Sequence, residues 1–276
     1  MKWIQIIFTL VILLSRISES LSYENDSIWQ SLEQGLSLGI FQAPQPSEFG
    51  DSRIAILRIN PDYYDAELFC ASEYGKKSRS AEEWSREFNL VAVINGGMYA
   101  TDYLTSVGYF KSGNHINNPS IHPKHNCIFA TGALSPDVPP WQIIDLQCQD
   151  FSLLKTKYRS FLQSIRMISC RQKNVWQPQT QKWSIAALGT DKRGNLLFIH
   201  CRSPYSVHDF INMLLELPLD IDRAMYLEGG PPASLYINSG KIKSEWSGGY
   251  QAEIYLNQNH TVRTLPNVIG IRRRIK

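Results

Sequence analysis

The sequence predicts an α+β fold, a mixed, largely antiparallel β-sheet packed with a few helices in a single compact domain. Three observations predict it. Short runs rich in β-branched and aromatic residues recur along the 276 residues between Gly, Pro, Asn and Asp punctuation. Helical periodicity is confined to a few segments. The strand segments do not alternate regularly with helices, which argues against a doubly wound nucleotide fold.

The first segment reads as a secretory signal over residues 1–20. Lys2 gives the positive n-region, Trp3 to Leu14 an apolar core broken by Gln5 and Thr9, and Ser18-Glu19-Ser20 small residues at the cleavage-determining positions. That core is shorter than the roughly 20 apolar residues a bilayer span needs. The expectation is therefore an exported protein, periplasmic or secreted, with no stable membrane insertion and a mature domain over 21–276. Ala43-Pro44-Gln45-Pro46 reads as a surface loop, and no linker, low-complexity tract or repeat divides the rest.

Strands are expected at Arg53–Ile59, Tyr64–Ala71, Leu90–Ile94, Asn126–Ala130, Arg166–Ser169, Ser184–Gly189, Leu196–Cys201, Ala224–Leu227, Leu235–Ile237, Glu253–Leu256 and Val268–Ile271. Asp191-Lys192-Arg193-Gly194-Asn195 reads as a hairpin turn between two of them. Ser80 followed by Glu83 is a capping box that starts a helix carrying Trp84 and Phe88 on one face. Ser206, with Asp209 three residues on, starts another in which Phe210, Met213, Leu214 and Leu217 repeat until Pro218. A third helix is expected around Phe151 to Leu162.

A formal charge of +3 is too small for a nucleic-acid groove, and the basic cluster Arg272-Arg273-Arg274 with Lys276 reads as a solvated terminus. Cys70, Cys127, Cys148, Cys170 and Cys201 lack the tight spacing of a zinc or redox motif. They leave open up to two disulfides with one free thiol, or buried thiols acting as small hydrophobes. Asn25-Asp26-Ser27 and Asn259-His260-Thr261 are glycosylation sequons that matter only in a glycosylating host.

Chemistry concentrates at two glycine pairs. Val93-Ile94-Asn95-Gly96-Gly97-Met98-Tyr99 and Met225-Tyr226-Leu227-Glu228-Gly229-Gly230-Pro231-Pro232-Ala233-Ser234 each run an apolar strand into a polar side chain and then Gly-Gly. Glycine permits positive φ and close approach of a ligand or a second backbone, which is how sites are built at strand ends. Glu228 is the leading catalytic candidate, because a carboxyl at the edge of a core is partly desolvated and its pKa rises towards the useful range. The opposing reading has Glu228 accepting from its own turn amides. Ser234 offers a hydroxyl contact. Asp209 is a second carboxylate candidate, although a third-position Asp is also explained by its cap; His200 and His208 are candidate bases, and none belongs to a metal-ligand spacing.

These motifs carry a resemblance. Asn95-Gly96-Gly97-Met98-Tyr99 with Val107-Gly108-Tyr109, then Trp183-Ser184-Ile185-Ala186-Ala187-Leu188-Gly189, then Tyr226 to Tyr236, resemble in order the phosphodiester glycosidase family, over about Leu90 to Ile271. The resemblance implies hydrolysis of a sugar-1-phosphate ester in the cell envelope. It implies that Asn95, Gly96 and Gly97, with Tyr99 and Gly108, line one side of a sugar-phosphate site and that Glu228, Gly229, Gly230 and Ser234 line the other. Where the family carries an aspartate followed by three glycines, this chain has Glu228, two glycines and Pro231-Pro232-Ala233. Trp183-Ser184 stands where an Arg-Thr pair is usual, which removes a bidentate phosphate partner that Arg202 or Arg166 would replace. Asn95 and Glu228 are conceivable ligands of a divalent cation; no other cofactor is expected. The alternative function is a non-catalytic envelope protein that binds glycans or cell-wall polymers through the same cleft, using its tyrosines and tryptophans.

Overall fold

The computed structural model describes residues 28–250, 254 and 262–275. The expected signal segment, both sequons and most of the expected strand at Glu253–Leu256 lie outside the described residues. In chain order the elements are β1 (Trp29–Glu33), β2 (Leu36–Gln42), β3 (Arg53–Ile59), β4 (Tyr64–Cys70), α1 (Ala81–Phe88), β5 (Ala92–Asn95), β6 (Phe110–Ser112), β7 (His115–Asn118), β8 (Cys127–Ala133), β9 (Trp141–Asp145), α2 (Phe151–Leu154), β10 (Tyr158–Ile168), β11 (Trp183–Asp191), β12 (Leu196–Tyr205), α3 (Val207–Glu216), β13 (Ile221–Gly229), β14 (Ser234–Asn238), β15 (Lys243–Ser247) and β16 (Asn267–Arg273). They build an 11-stranded sheet ordered β1-β2-β3-β12-β11-β13-β10-β6-β7, with β8 on β10 and β9 on β8, and a 5-stranded sheet ordered β15-β14-β5-β16-β4. The described ladders are antiparallel throughout.

The sheets stack face to face around one core, and each buries its other face under a helix. On β11, Ala186 and Leu188 point into the shared core, while Ile185 and Ala187 point the other way against Val207, Phe210, Ile211 and Leu214 of α3. On β5, Ala92 and Ile94 face the shared core and Val93 faces Trp84 of α1. A strand buried on both faces reads as a continuous apolar run rather than an alternation, which explains Ala186-Ala187-Leu188 and Ala92-Val93-Ile94. The exposed edge of β4 is stitched to the larger sheet by hydroxyls: Thr131 donates to the Ala66 carbonyl and Ser112 to that of Leu68, each at 2.7 Å.

Both capped helices form as expected. Ser80 and Glu83 make the reciprocal capping box, and the Ser206 hydroxyl caps α3. The hairpin turn closes through Gly194 at φ +83°, with Asp191 accepting from the amides of Arg193 and Asn195. The third expected helix is corrected: α2 is a single turn, and Tyr158 onward extends as β10. The reason is tertiary, since β10 is paired along both edges, Phe161 and Leu162 lying between β6 and β8 and Ile165 to Ile168 pairing with β13, so its backbone bonds are met across strands. Cys148 and Cys170 form a disulfide, and Cys70, Cys127 and Cys201 are buried thiols. Replacing Cys148 and Cys170 together by Ser is expected to cost on the order of 3 kcal/mol, from the loop entropy released to the unfolded chain. The readout is a chemical denaturation midpoint; an unchanged midpoint would contradict the pairing.

Candidate active site

β13 carries one extra residue next to the site. Ala187 lies opposite Tyr226 and Ala186 opposite Glu228, so Leu227 is bulged. A bulge bends its strand and re-aims the side chain beside it. Glu228 Oε1 accepts from the Gly229 amide at 2.9 Å, the turn bond that the structural reading expects. Burial outweighs that bond and pushes the carboxyl up to about 7. Two phenols surround it: burial and then the charge of Glu228 raise Tyr99 and Tyr226 alike.

The two glycine turns meet because β5 and β14 are neighbours, with Ile94 opposite Leu235. Asn95 ends one strand where Ser234 begins the other, and the Ser234 amide donates to Asn95 Oδ1 at 3.2 Å. Asn95 is 2% exposed, and its Nδ2 has no hydrogen-bond partner among the described residues. The glycines answer specific contacts. A Cβ at Gly96 would sit 2.7 Å from the carbonyl carbon of Asn267 and the amide of Val268, both backbone atoms of β16. At Gly229 a Cβ would lie 2.2 Å from both Trp183 Cδ1 and Tyr226 Oη. The room expected over Gly229 is thus filled by the Trp183 indole, whose Nε1 donates to Tyr226 Oη at 2.9 Å. Gly97 and Gly230 adopt φ of +83° and +66°.

His200 lies opposite Ala186, which lies opposite Glu228, so the three form a row across β12, β11 and β13. The His200 Nε2 is 3.2 Å from the Ala233 carbonyl of the second turn. Arg202 follows two residues later on the same face of β12, and its Nε is buried without a hydrogen-bond partner among the described residues. Arg166, by contrast, is engaged: it donates to Asp145 at 2.6 Å and to Gln147 at 2.9 Å. Gly108 packs under Gln163, whose carbonyl oxygen would lie 2.7 Å from a Cβ there. Asp209 accepts from the Ser206 hydroxyl at 2.7 Å and donates its amide back at 3.1 Å, the local bonds of the α3 cap. His208 Nδ1 is 2.7 Å from the Trp176 carbonyl. Among the described residues, one group of His, Cys, Asp and Glu has metal-like spacing, Asp145 with Cys148 and Cys170, and its sulfurs are already bonded to each other.

A cavity of about 790 Å³ lined by Asp65, Tyr74, Trp141 and Arg159 lies at the seam of β4 and β8, away from both turns. Trp183 and Tyr226 stand inside the quoted motifs but were given no role as side chains, and Trp176 was not singled out. Their only sequence signal is an aromatic residue two positions before Glu228 and another opening the strand that pairs with it.

The raised carboxyl has a stability consequence. Between the ordinary value of 4.5 and about 7, the folded chain holds a proton at Glu228 that the unfolded chain has released, so stability falls as pH rises through that window. The loss is on the order of 3 kcal/mol once the window is crossed. Glu228→Gln is expected to melt above wild type near pH 8 and close to it near pH 4. A variant that melts below wild type at both would show that burial does not strain this carboxylate.

A family model for phosphodiester glycosidase matches residues 88–272. No curated protein matches the chain in sequence. Similar solved structures include the catalytic domain of zebrafish N-acetylglucosamine-1-phosphodiester alpha-N-acetylglucosaminidase, auto-inhibited by its pro-peptide. It has a TM-score of 0.64 at 13% identity, over 89% of this chain and 86% of that one. A hypothetical protein from Synechocystis has a TM-score of 0.61 at 12% identity, over 87% of this chain and 62% of that one. A Burkholderia pseudomallei protein described as exported has a TM-score of 0.51 at 10% identity, over 79% and 73%. At these identities the structures bear on fold alone, whereas the family match spans both glycine turns and most of the chain. The chain belongs to the phosphodiester glycosidase family.

Proposed function

We propose that the protein hydrolyses a glycosyl phosphodiester, cleaving the bond between an anomeric carbon and a phosphate oxygen in the cell envelope, with Glu228 as the key carboxylate. The observation that carries the reading is a carboxyl with its pKa near 7 at the meeting point of two glycine turns, in a chain of this family. Ionised Glu228 takes a proton from water as that water attacks the anomeric carbon, or steadies the positive charge of an oxocarbenium-like centre. The carbon–oxygen bond breaks with its electron pair on the phosphomonoester. A phosphate ester leaves with less protonation than a sugar alcohol, so a second acid is not demanded. Asn95 orients a sugar hydroxyl or phosphate oxygen through its unpartnered Nδ2, and Arg202 holds the phosphate.

The placement in the envelope is supported by the signal-like segment 1–20 and by the Cys148–Cys170 disulfide, a bond that persists in oxidising compartments. No helix among the described residues is long and apolar enough to cross a membrane. In assays on a panel of sugar-1-phosphodiesters, wild type is expected to release free sugar and phosphomonoester, and Glu228→Gln to lose at least about a hundredfold in rate. Because the ionised carboxyl does the work, kcat/KM is expected to rise with pH and level off above about 7, following the raised pKa of Glu228. Full activity in Glu228→Gln would refute the role. Glycan binding without turnover, indifferent to that change, would establish the non-catalytic glycan-binding protein instead.

A further inference from the structure

The loop that follows the first glycine turn turns its polar groups inward and a ring outward. Val107 donates to the Met98 carbonyl at 3.0 Å and Ala100 to that of Thr105 at 2.7 Å, which closes the loop on itself. Asp102 accepts from the amides of Leu104 and Thr105 and from the Thr105 hydroxyl. Asn117 of β7 accepts from the Ser106 amide at 2.7 Å and donates to the Leu104 carbonyl at 2.9 Å. Leu104 packs against the cluster of Trp84 and Leu265, whereas Tyr103 beside it is 66% exposed. Tyr103 also has φ of +57°, a left-handed conformation that Gly or Asn adopts more readily than a bulky residue. Its ring meets that of Tyr99 with centroids 5.7 Å apart.

Tyr99 links this ring to Glu228. Burial raises its phenol, the charges of Glu228, Tyr103 and Tyr250 add to the rise, and Arg263 opposes it, so these groups lie within electrostatic reach of one hydroxyl. Tyr250 arrives from the second turn: a Cβ at Gly230 would sit 3.3 Å from its Cε1. Tyr250 and Arg263 are both exposed.

A phosphodiester has two arms. The sugar arm carries the reacting carbon to Glu228, and the alcohol arm starts beyond the phosphorus and leaves towards the rim. A hydroxylated alcohol would need amide or carboxylate partners there, and Asp102 and Asn117 are engaged within the protein. Exposed rings beside a guanidinium suit an apolar group joined to an anion. We propose that Tyr103 and Tyr250, with Arg263 beside them, form an alcohol-side subsite that selects phosphodiesters whose leaving phosphate carries an apolar group. The proposal rests on the reading of Glu228 as the reaction centre and adds the chemical class of the alcohol half.

The test uses the full mature chain. Diesters of one sugar 1-phosphate with methanol, glycerol, n-octanol and benzyl alcohol are compared by kcat/KM. In parallel, methyl, glycerol, n-octyl and benzyl phosphate are titrated calorimetrically into Glu228→Gln, which reads the subsite without turnover. The octyl or benzyl compound is expected to exceed the methyl one by about tenfold in both series, through KM in the first. A larger gain for octyl identifies an alkyl chain as the preferred group, and a larger gain for benzyl an aryl ring. Tyr103→Asn, whose side chain tolerates the left-handed φ, is expected to shrink that ratio about fivefold. Tyr103→Phe is expected to keep it, since the ring and not the hydroxyl makes the contact. Melting curves confirm that both variants fold. A wild-type ratio near one, a glycerol compound equal to the octyl and benzyl ones, or an unchanged ratio in Tyr103→Asn would overturn the proposal. Selective binding of the apolar phosphates without hydrolysis of any diester would sink the proposed reaction and leave the subsite standing. Hydrolysis indifferent to the alcohol would do the reverse.

Discussion

Two stacked sheets, each covered on its outer side by a helix, leave few places where a charged side chain can sit without forfeiting its water. Glu228 does not occupy one of them: burial takes the water from its carboxyl. It stands at the end of β13, where Ala224 to Leu227 are drawn alternately into one core or the other, and the bulge at Leu227 breaks the strict alternation just before it. The raised carboxyl, the phenols around it and the arrival of β14 and β5 at the same point all follow from that position. Burial of a carboxylate is unfavourable, and a fold that keeps one here holds a group able to gain or lose a proton near neutrality.

The glycines show how packing and chemistry share the same residues. In the first pair, Gly96 is demanded by the backbone of β16 and Gly97 by its positive φ. In the second, Gly229 admits an indole rather than open space, and Gly230 turns the chain with positive φ towards Pro231. The tight turns bring Asn95 and Ser234 within hydrogen-bond reach without a longer connection. The same tightness leaves Asn95 Nδ2 and Arg202 Nε without partners among the described residues. Buried unpaired donors of that kind are costly in an empty site and favourable once an acceptor arrives.

Much of this was legible in the sequence because local chemistry decided it. The caps at Ser80 and Ser206, the hairpin at Gly194 and the apolar strands β3, β11, β12 and β16 each carry their own signal, and their positions agree within a few residues. The two glycine turns were visible for the same reason. Strands β1, β2, β6, β7, β9 and β15 were not; β1, β6, β7 and β15 are short or rich in polar residues and exist because a neighbouring edge pairs with them. The segment from Phe151 misled because its apolar residues fit a helical repeat, while two-sided pairing of β10 decided its conformation. The Trp183–Tyr226 contact was hidden because it joins residues 43 apart through a cross-strand pairing that no local pattern encodes.

The account stands on one physical quantity, the affinity of Glu228 for its proton in the folded chain. Carbon-13 labelling of glutamate side chains, with the Glu228 carboxyl assigned by its absence in Glu228→Gln, measures it directly by NMR across a pH series. The account predicts a midpoint near 7, set by burial. A midpoint near 4.5, the ordinary glutamate value, would show a solvated carboxylate held by its turn amide and would contradict the site described here.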